Sequence, residues 1–297
     1  MGLMSVSKIY ALSTARLKTQ NRMAIPVVTG LVVGHRETVK HFCEVAEAMN
    51  SPVIFELGNC GLFDDEPTRG FGEKHHLDKS GVAIFEKMLE SAGSFTTPIG
   101  FSIHSFKEGG LLGLGAGFSS MVVEENLYLY DQARWLDNFI FNLVGNGKYP
   151  EQNFVARAHE AHGAIEFLLG RPDYGRCYRP TDPTCVERLI KATGLDSLGI
   201  AVMKETEPQR EAIEASWELD LDRLTAIITA RDQFKRTFPL VILDNLRSQT
   251  MVRQATAAGV NGIHVSAYLV TDSITPDANR LSYSFADFIR ACNSNGK

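Results

Sequence analysis

The sequence predicts a single (β/α)8 barrel, the TIM-barrel fold, over residues 1–297. Short apolar runs of strand length alternate with longer amphipathic runs of helix length along the whole chain. Eight strand candidates follow one another without a linker or a change of composition, and a barrel of this class typically needs about 250 residues. A doubly wound sheet would show the same alternation, but the chain lacks the G-x-G-x-x-G turn expected after its first strand.

The predicted strands are short apolar runs bounded by polar or turn residues. The second, SPVIFELG, is a continuous apolar run, typical of a parallel strand that is buried on both faces. The eight strands are predicted at residues 25–30, 51–58, 97–105, 118–125, 153–160, 196–204, 239–244 and 262–268.

The predicted helices follow the strands in order. Apolar residues at Val39, Phe42, Ala46 and Met49 keep the three-and-four spacing of an amphipathic helix. Residues 207–238 are predicted to form a helical insertion between strands six and seven. The other helices are predicted at 37–49, 79–92, a Gly-rich segment ending at 116, a long segment ending near 144, and 184–193, 248–258 and 284–293.

Composition excludes several classes of protein. The chain is 44% hydrophobic and 22% charged, which is ordinary for a globular domain and unlike a disordered one. Its 30 Lys and Arg against 35 Asp and Glu give a net charge of −5 without basic clusters, so we expect no nucleic-acid partner. No apolar run approaches the roughly 18 residues of a membrane span. Five scattered cysteines without a C-x-x-C pair indicate reduced thiols and a cytoplasmic protein.

In such barrels the chemistry lies at the carboxyl ends of the strands, where the βα loops meet. Ionisable side chains occur at seven of the eight predicted strand ends, whereas the strand interiors are almost wholly apolar. This contrast predicts an active site. The candidates are Glu56, Asn59, His104, Ser105, Glu124, Glu125, His159, Glu160, His162, Lys204, Glu205, Asp244, Asn245, Arg247, His264 and Ser266.

Lys204 ends the apolar run LGIAVM, so its amine is expected inside the barrel mouth. Burial disfavours an ammonium group and lowers the pKa of a lysine, which frees a neutral amine to form a Schiff base with a carbonyl. The alternative is a lysine that reaches out to solvent from a strand end.

The histidines suit proton transfer near neutral pH. His104, His159 and His264 all lie at predicted strand ends, and together with a glutamate such as Glu160 they could instead hold zinc. Both interpretations stay open on the sequence.

Several of these segments resemble the class II fructose-bisphosphate aldolases. SPVIFELGNCGLF is similar to the SPVILQ-S-NGG of that family, and GFSSMVVEEN is similar to GFTSVMID-S. The likeness continues through DSLGIAV and PLVIL into MVRQATAAGVNGIHVSAYL, and it covers about residues 24–269. The resemblance implies a barrel, a small-molecule substrate, and a dimer or larger homo-oligomer.

The zinc ligands implied by that family are absent. Where the family has L-x-DHG, this chain reads SIHSF, with His104 at the aspartate and Ser105 at the first histidine. MKET replaces G-T-S-H, which puts Thr206 at the second ligand position. ILDNLR replaces LHGGSG, which puts Leu243 or Asp244 at the third.

Without zinc, the resemblance implies an aldolase or lyase that needs no cofactor and acts on a small, phosphorylated keto substrate. Lys204 would supply the electron sink, because Schiff-base aldolases carry their lysine at the end of strand six. The predicted acid–base groups are His104 and Glu205, then Asp244, Glu124 and His159. The predicted substrate-binding residues are Asn59, Ser105, Arg247, His264 and Ser266.

Two alternatives to a Schiff-base aldolase remain open on the sequence. One is a metal-dependent aldolase or isomerase that uses His104, His159 and His264. The other is a non-catalytic, aldolase-like binding subunit, which the loss of all three zinc ligands would permit.

Overall fold

The computed structural model describes residues 2–17, 21–59, 61–63, 76–105, 107–123, 131–148, 152–172, 178–205, 217–233, 238–271 and 281–293. Eight parallel strands close into a barrel, as predicted. Among the described residues no helix is long and apolar enough to cross a bilayer. The barrel strands are β1 (Ile25–Val32), β2 (Val53–Gly58), β3 (Ile99–His104), β4 (Ser120–Val123), β5 (Ala164–Leu169), β6 (Ser197–Ile200), β9 (Leu240–Ile242) and β10 (Gly262–Ser266).

Helices surround the barrel, and a small antiparallel pair of strands, β7 (Met203–Glu205) and β8 (Trp217–Leu219), stands apart from it. The helices are α1 (Val6–Arg16), α2 (Arg36–Ala48), α3 (Lys79–Gly93), α4 (Lys107–Gly115), α5 (Gln132–Val144), α6 (Phe154–Glu160), α7 (Pro183–Thr193), α8 (Leu221–Asp232), α9 (Gln249–Ala258) and α10 (Phe285–Cys292).

The main hydrophobic core lies between the strands and the surrounding helices. Strand residues alternate between that core and the barrel interior, since successive side chains of a strand point to opposite faces. On β2, Phe55 and Leu57 join the outer core, while Ile54 joins a second apolar cluster inside the barrel. Glu56, between Phe55 and Leu57, therefore points into the barrel.

The N-terminal helix α1 covers the amino-terminal end of the barrel. The backbone of Met4 pairs with Ile99 at the start of β3, and the Val6 amide donates to Ser119 Oγ just before β4. Ile9 and Tyr10 are 0% and 3% exposed and join the apolar cluster inside the barrel. The sequence prediction did not include this helix.

The prediction of strand five at residues 153–160 is wrong, because this segment forms α6. The Asn153 side chain accepts a hydrogen bond from the Ala156 amide and caps the helix. Phe154, Val155 and Ala158 are buried at helical spacing. The fifth strand is β5, the apolar run that follows.

The prediction that strand six continues to residue 204 is also wrong. The barrel strand ends at Ile200, and the chain then leaves the barrel, so that residues 203–205 pair antiparallel with residues 217–219. The described part of the predicted helical insertion therefore contains a strand, β8, before helix α8.

Candidate active site

A cavity of about 440 Å³ opens at the carboxyl ends of the barrel strands. Its size is within the usual range for small-molecule sites, about 300–1,000 Å³. The apolar residues Leu168 and Leu243 line its walls. The polar and charged residues that line it are Thr29, Glu56, His104, Arg171, Asn245 and His264.

Glu56 lies between two histidines at the base of this cavity. Oε1 of Glu56 is 2.7 Å from Nδ1 of His104, and Oε2 is 3.3 Å from Nε2 of His264. The second pair is close enough for an ion pair, but it lacks hydrogen-bond alignment. The Glu56 and His264 side chains are 5% and 7% exposed, whereas that of His104 is 33% exposed and reaches the cavity.

Strand register explains why these three side chains meet. Glu56 pairs with Ser102 across β2 and β3, and His104 is two residues further along the same face. His264 on β10 lies between Ile263 and Val265, which both join the outer core, so the imidazole points inward. β10 and β2 are the two neighbours of β1 in the barrel.

The electrostatics favour an ionised Glu56. Burial raises the pKa of the Glu56 carboxyl. Three effects oppose burial: the charge of His264, the hydrogen bond from His104 and the charge of His104. Together they outweigh it, so the pKa of Glu56 is lowered overall. Burial lowers the pKa of His264, which favours the neutral imidazole. An ionised Glu56 accepts a hydrogen bond from Nδ1–H of His104, and this assignment leaves the basic lone pair of His104 on Nε2.

Arg171 enters the cavity rim on a tight turn after β5. Gly170 has a φ of 146°, and a Cβ there would lie 2.7 Å from Thr181 Oγ1 and 2.9 Å from the Ala201 Cβ. Thr181 Oγ1 also accepts from the Ala201 amide at 2.9 Å and donates to the Leu169 carbonyl. These contacts hold the segment against the end of β6, so that Arg171, the next residue, lines the cavity. A guanidinium suits a carboxylate or phosphate.

The structure brings several predicted residues to the mouth. His104 and His264 lie together at Glu56. Asn245 Oδ1 accepts from the Ser266 amide at 2.7 Å, which ties the end of β9 to the end of β10. Asn59 Nδ2 donates to Ser105 Oγ at 3.4 Å and links the ends of β2 and β3.

Lys204 is not at the mouth. Its Nζ lies 3.1 Å from Glu218 Oε1 in the β7–β8 pair, and its side chain is 49% exposed. The hydrogen bond and the charge of Glu218 raise the pKa of Lys204. The expectation of a buried amine with a lowered pKa is therefore wrong, because the strand leaves the barrel before residue 204. Glu205 is exposed in the same pair, opposite Trp217.

His159 is at the opposite end of the barrel. It lies on α6, with Nε2 2.8 Å from Oδ2 of Asp196, which directly precedes β6. His104, His159 and His264 therefore do not meet as the metal alternative requires. Across the described ranges, no three His, Cys, Asp or Glu side chains are arranged to hold a metal ion.

Asn59, Ser105 and Ser266 lie next to the cavity rather than among the residues that line it, and Asp244 and Arg247 do not line it either. Asp244 is fully buried, accepts from the Val202 amide at 2.7 Å, and has a pKa that burial raises to about 7. Arg247 is exposed just before α9. Glu124 lies outside the described residues.

Two members of the site were missed or left without a role. Glu56 was recognised as a strand-end residue but was given no function. Arg171 was not considered, because strand five was predicted about ten residues too early. The run AIEFLLG, followed directly by Arg171, was the signal that could have found it.

Zinc does not fit the donors present at the positions that the family resemblance implies. Ser105 offers a hydroxyl already hydrogen-bonded to Asn59, and Leu243 offers only an apolar side chain. Asp244, the other residue at the third position, is fully buried, accepts from the Val202 amide and is not among the residues that line the cavity. Thr206 lies outside the described residues.

Comparison with known proteins identifies similar folds. No protein-family model and no curated protein matches the chain. Among solved structures, the YdjI aldolase from Escherichia coli K12 has a TM-score of 0.61 at 17% identity, covering 99% of this chain and 93% of that chain. A protein from Coccidioides immitis assigned as a fructose-1,6-bisphosphate aldolase has a TM-score of 0.62 at 15% identity, covering 98% and 93%.

The fructose-bisphosphate aldolase from Campylobacter jejuni has a TM-score of 0.56 at 18% identity, covering 89% of this chain and 77% of that chain. At such identities the likeness concerns the fold. The resemblance seen in the sequence is thus confirmed at that level: the chain has the (β/α)8 barrel of these aldolases.

Proposed function

We propose that this barrel is a carbon–carbon lyase that catalyses an aldol cleavage or condensation by acid–base chemistry. The observation that carries the proposal is the 2.7 Å contact between the Glu56 carboxylate and Nδ1 of His104 at the base of the cavity. A carboxylate that orients an imidazole is the arrangement used for general acid–base catalysis. The aldolase fold of the similar structures supports this reaction class.

In the cleavage direction, Nε2 of His104 takes the proton of the substrate hydroxyl β to the carbonyl. The carbon–carbon bond then breaks, the hydroxyl carbon becomes an aldehyde, and the bonding electrons move into the carbonyl to form an enolate. Glu56 stabilises the imidazolium that forms on His104. The imidazolium returns its proton to the enolate carbon, which gives the ketone product.

We assign two further roles in this reaction. His264 is neutral and buried beside Glu56, so it suits hydrogen bonding to the enolate oxygen. Arg171 at the rim suits a phosphate or carboxylate on the substrate. The substrate class is therefore a small hydroxyketone or hydroxyketo acid with one anionic group.

The test is exchange of the α-protons of candidate donors with deuterium oxide, followed by NMR. Dihydroxyacetone phosphate, dihydroxyacetone and pyruvate are suitable donors, because exchange needs only enolate formation. Exchange should be lost in His104→Gln and slowed by about 100-fold in Glu56→Gln. His159→Gln, the same change at the opposite end of the barrel, is the matched control and should exchange normally.

The same assay separates the other mechanisms. We expect exchange to survive a chelator, and loss on chelation with recovery on adding zinc would favour the metal alternative. We also expect Lys204→Met to remain active and borohydride to trap no adduct on Lys204, because this amine pairs with Glu218 outside the cavity. A wild-type protein that exchanges no donor and cleaves no hydroxyketone would refute the proposed function.

A further inference from the structure

A second carboxylate lies in the barrel interior, closer to the end covered by α1. Glu166 on β5 is 3% exposed. Its Oε2 accepts hydrogen bonds from Ser197 Oγ at 2.8 Å and from the Tyr10 hydroxyl at 3.3 Å. Its Oε1 has no hydrogen-bond partner within the described part of the chain. The groups that bond Glu166 are therefore neutral hydroxyls.

Glu166 is connected to His104 through the pairing of the strands between them. His104 pairs with Val122 across β3 and β4, and Val122 pairs with Glu166 across β4 and β5. The charge of Glu56 also acts on Glu166. Of these two buried carboxylates, Glu56 thus has imidazoles at both oxygens, whereas Glu166 has none among the described residues.

Glu56 and Glu166 are both buried inside the barrel and the charge of one acts on the other, so the two carboxylates do not both ionise readily. Burial, and then the negative charge of Glu56, raise the pKa of Glu166 to about 8, although its hydroxyl partners oppose the change. The pKa of Glu56 is lowered by its histidines. At neutral pH the arrangement therefore favours a protonated Glu166 and an ionised Glu56.

We propose that Glu166 is a positioning residue that holds a proton inside the barrel, and so keeps a second negative charge away from the Glu56–His104 pair. The inference rests on the proposed function, because it supplies the condition under which His104 starts the reaction as a neutral base. Once Glu166 ionises, the added negative charge favours retention of a proton on the neighbouring imidazoles.

The groups that face Glu166 are consistent with this role. Tyr10 from α1 stays neutral, since burial raises its pKa well above the ordinary value of 10.0. β4 and β6 contribute the uncharged Val122 and Ser197. Within the described part of the chain, the charges that act on Glu166 are therefore those of Glu56 on β2 and His104 on β3.

The first experiment needs no catalysis. We expect the ring signals of His104, followed by NMR in the resting protein, to show an inflection near pH 8 that reports the ionisation of Glu166. This inflection should vanish in Glu166→Gln, the isostere of the protonated acid. Infrared spectra at neutral pH should likewise lose a protonated carboxylic acid band in that variant. Identical His104 curves, or no lost band, would overturn the proposal.

A second variant tests the proposal independently, in case the Glu166→Gln protein does not fold. Ser197→Ala removes a hydrogen bond that stabilises the charged form of Glu166, so it should move the His104 inflection to higher pH. An unmoved inflection would assign it to another group and would also overturn the proposal.

Kinetics supply the third test. Wild-type kcat should fall as Glu166 ionises, while Glu166→Gln should keep its neutral-pH rate and lose this alkaline fall. A Glu166→Gln protein that is folded but inactive at every pH would contradict a positioning role. If no donor is turned over, the proposed function fails, but the NMR and infrared results still decide whether Glu166 holds the proton.

Discussion

Replacing Glu56 by Gln tests the acid–base pair most directly. The change conserves volume but removes the charge from a side chain that is 5% exposed and contacts two imidazoles. The glutamine amide can still accept from Nδ1 of His104 through its oxygen, but it no longer stabilises an imidazolium. A hydrogen bond to a charged group contributes about 1.5–3 kcal/mol, which corresponds to roughly 10- to 150-fold in rate.

We therefore expect kcat to fall by about 100-fold, within the range of about 10²–10⁴ for a general acid–base group. KM should change little, because Arg171 rather than Glu56 is assigned to the substrate anion. The assay is steady-state cleavage together with α-proton exchange. Thermal melts establish that the variant is folded, and Glu90→Gln on the exposed face of α3 is the matched control. A folded Glu56→Gln protein with nearly unchanged kcat would refute the reasoning.

Three further predictions concern the rim, the wall and the interior of the barrel. Arg171→Ala should raise KM about 10- to 150-fold for phosphorylated donors but not for neutral analogues, as measured by steady-state kinetics. Gly199→Ala should raise KM, because a Cβ there would lie 2.6 Å from each of the two leucine side chains that wall the cavity. Melts should show about 1–3 kcal/mol of destabilisation for that variant, whereas Gly115→Ala, with open space around it, is the control. The pKa of Glu166 is raised from 4.5 to about 8, so its stabilising contribution should be complete below 4.5 and should fall by up to about 1.4 kcal/mol per pH unit towards pH 8. Urea unfolding across this range should show that slope in wild type and not in Glu166→Gln, and parallel curves would contradict it.

The strand pattern could be predicted where the apolar runs were continuous. The runs around Phe55, Ile103 and Ile263 specified β2, β3 and β10, because strands buried on both faces are read as unbroken apolar segments. His104 and His264 were therefore assigned to the correct end of the barrel.

Strands were assigned wrongly where an apolar run did not indicate which part of the chain it would pack against. Phe154 and Val155 suggested a strand, but Asn153 begins a helix there. The run before Lys204 extends past the barrel edge into a strand that pairs with β8. The apolar residues alone do not specify which strand they will pair with. The position of Lys204 could therefore not be predicted from this run.

Long-range contacts were also beyond the sequence pattern. Tyr10 and Glu166 are 156 residues apart in the chain, yet they share a hydrogen bond inside the barrel. Glu166 lies in the middle of a strand rather than at its end, so a search restricted to strand ends passes over it.

The helix that covers the amino-terminal end of the barrel also has a kinetic consequence. Val6 and Ile9 are 2% and 0% exposed, so the described residues give the cavity no second opening at that end. Substrate and both products of a cleavage then pass through one mouth. Under the proposed function, the fragment bound by Arg171 at the rim leaves before the fragment that lies deeper, beside Glu56. Product release is therefore expected to be strictly sequential, and the deeper product should be the one that competes with substrate for the empty enzyme.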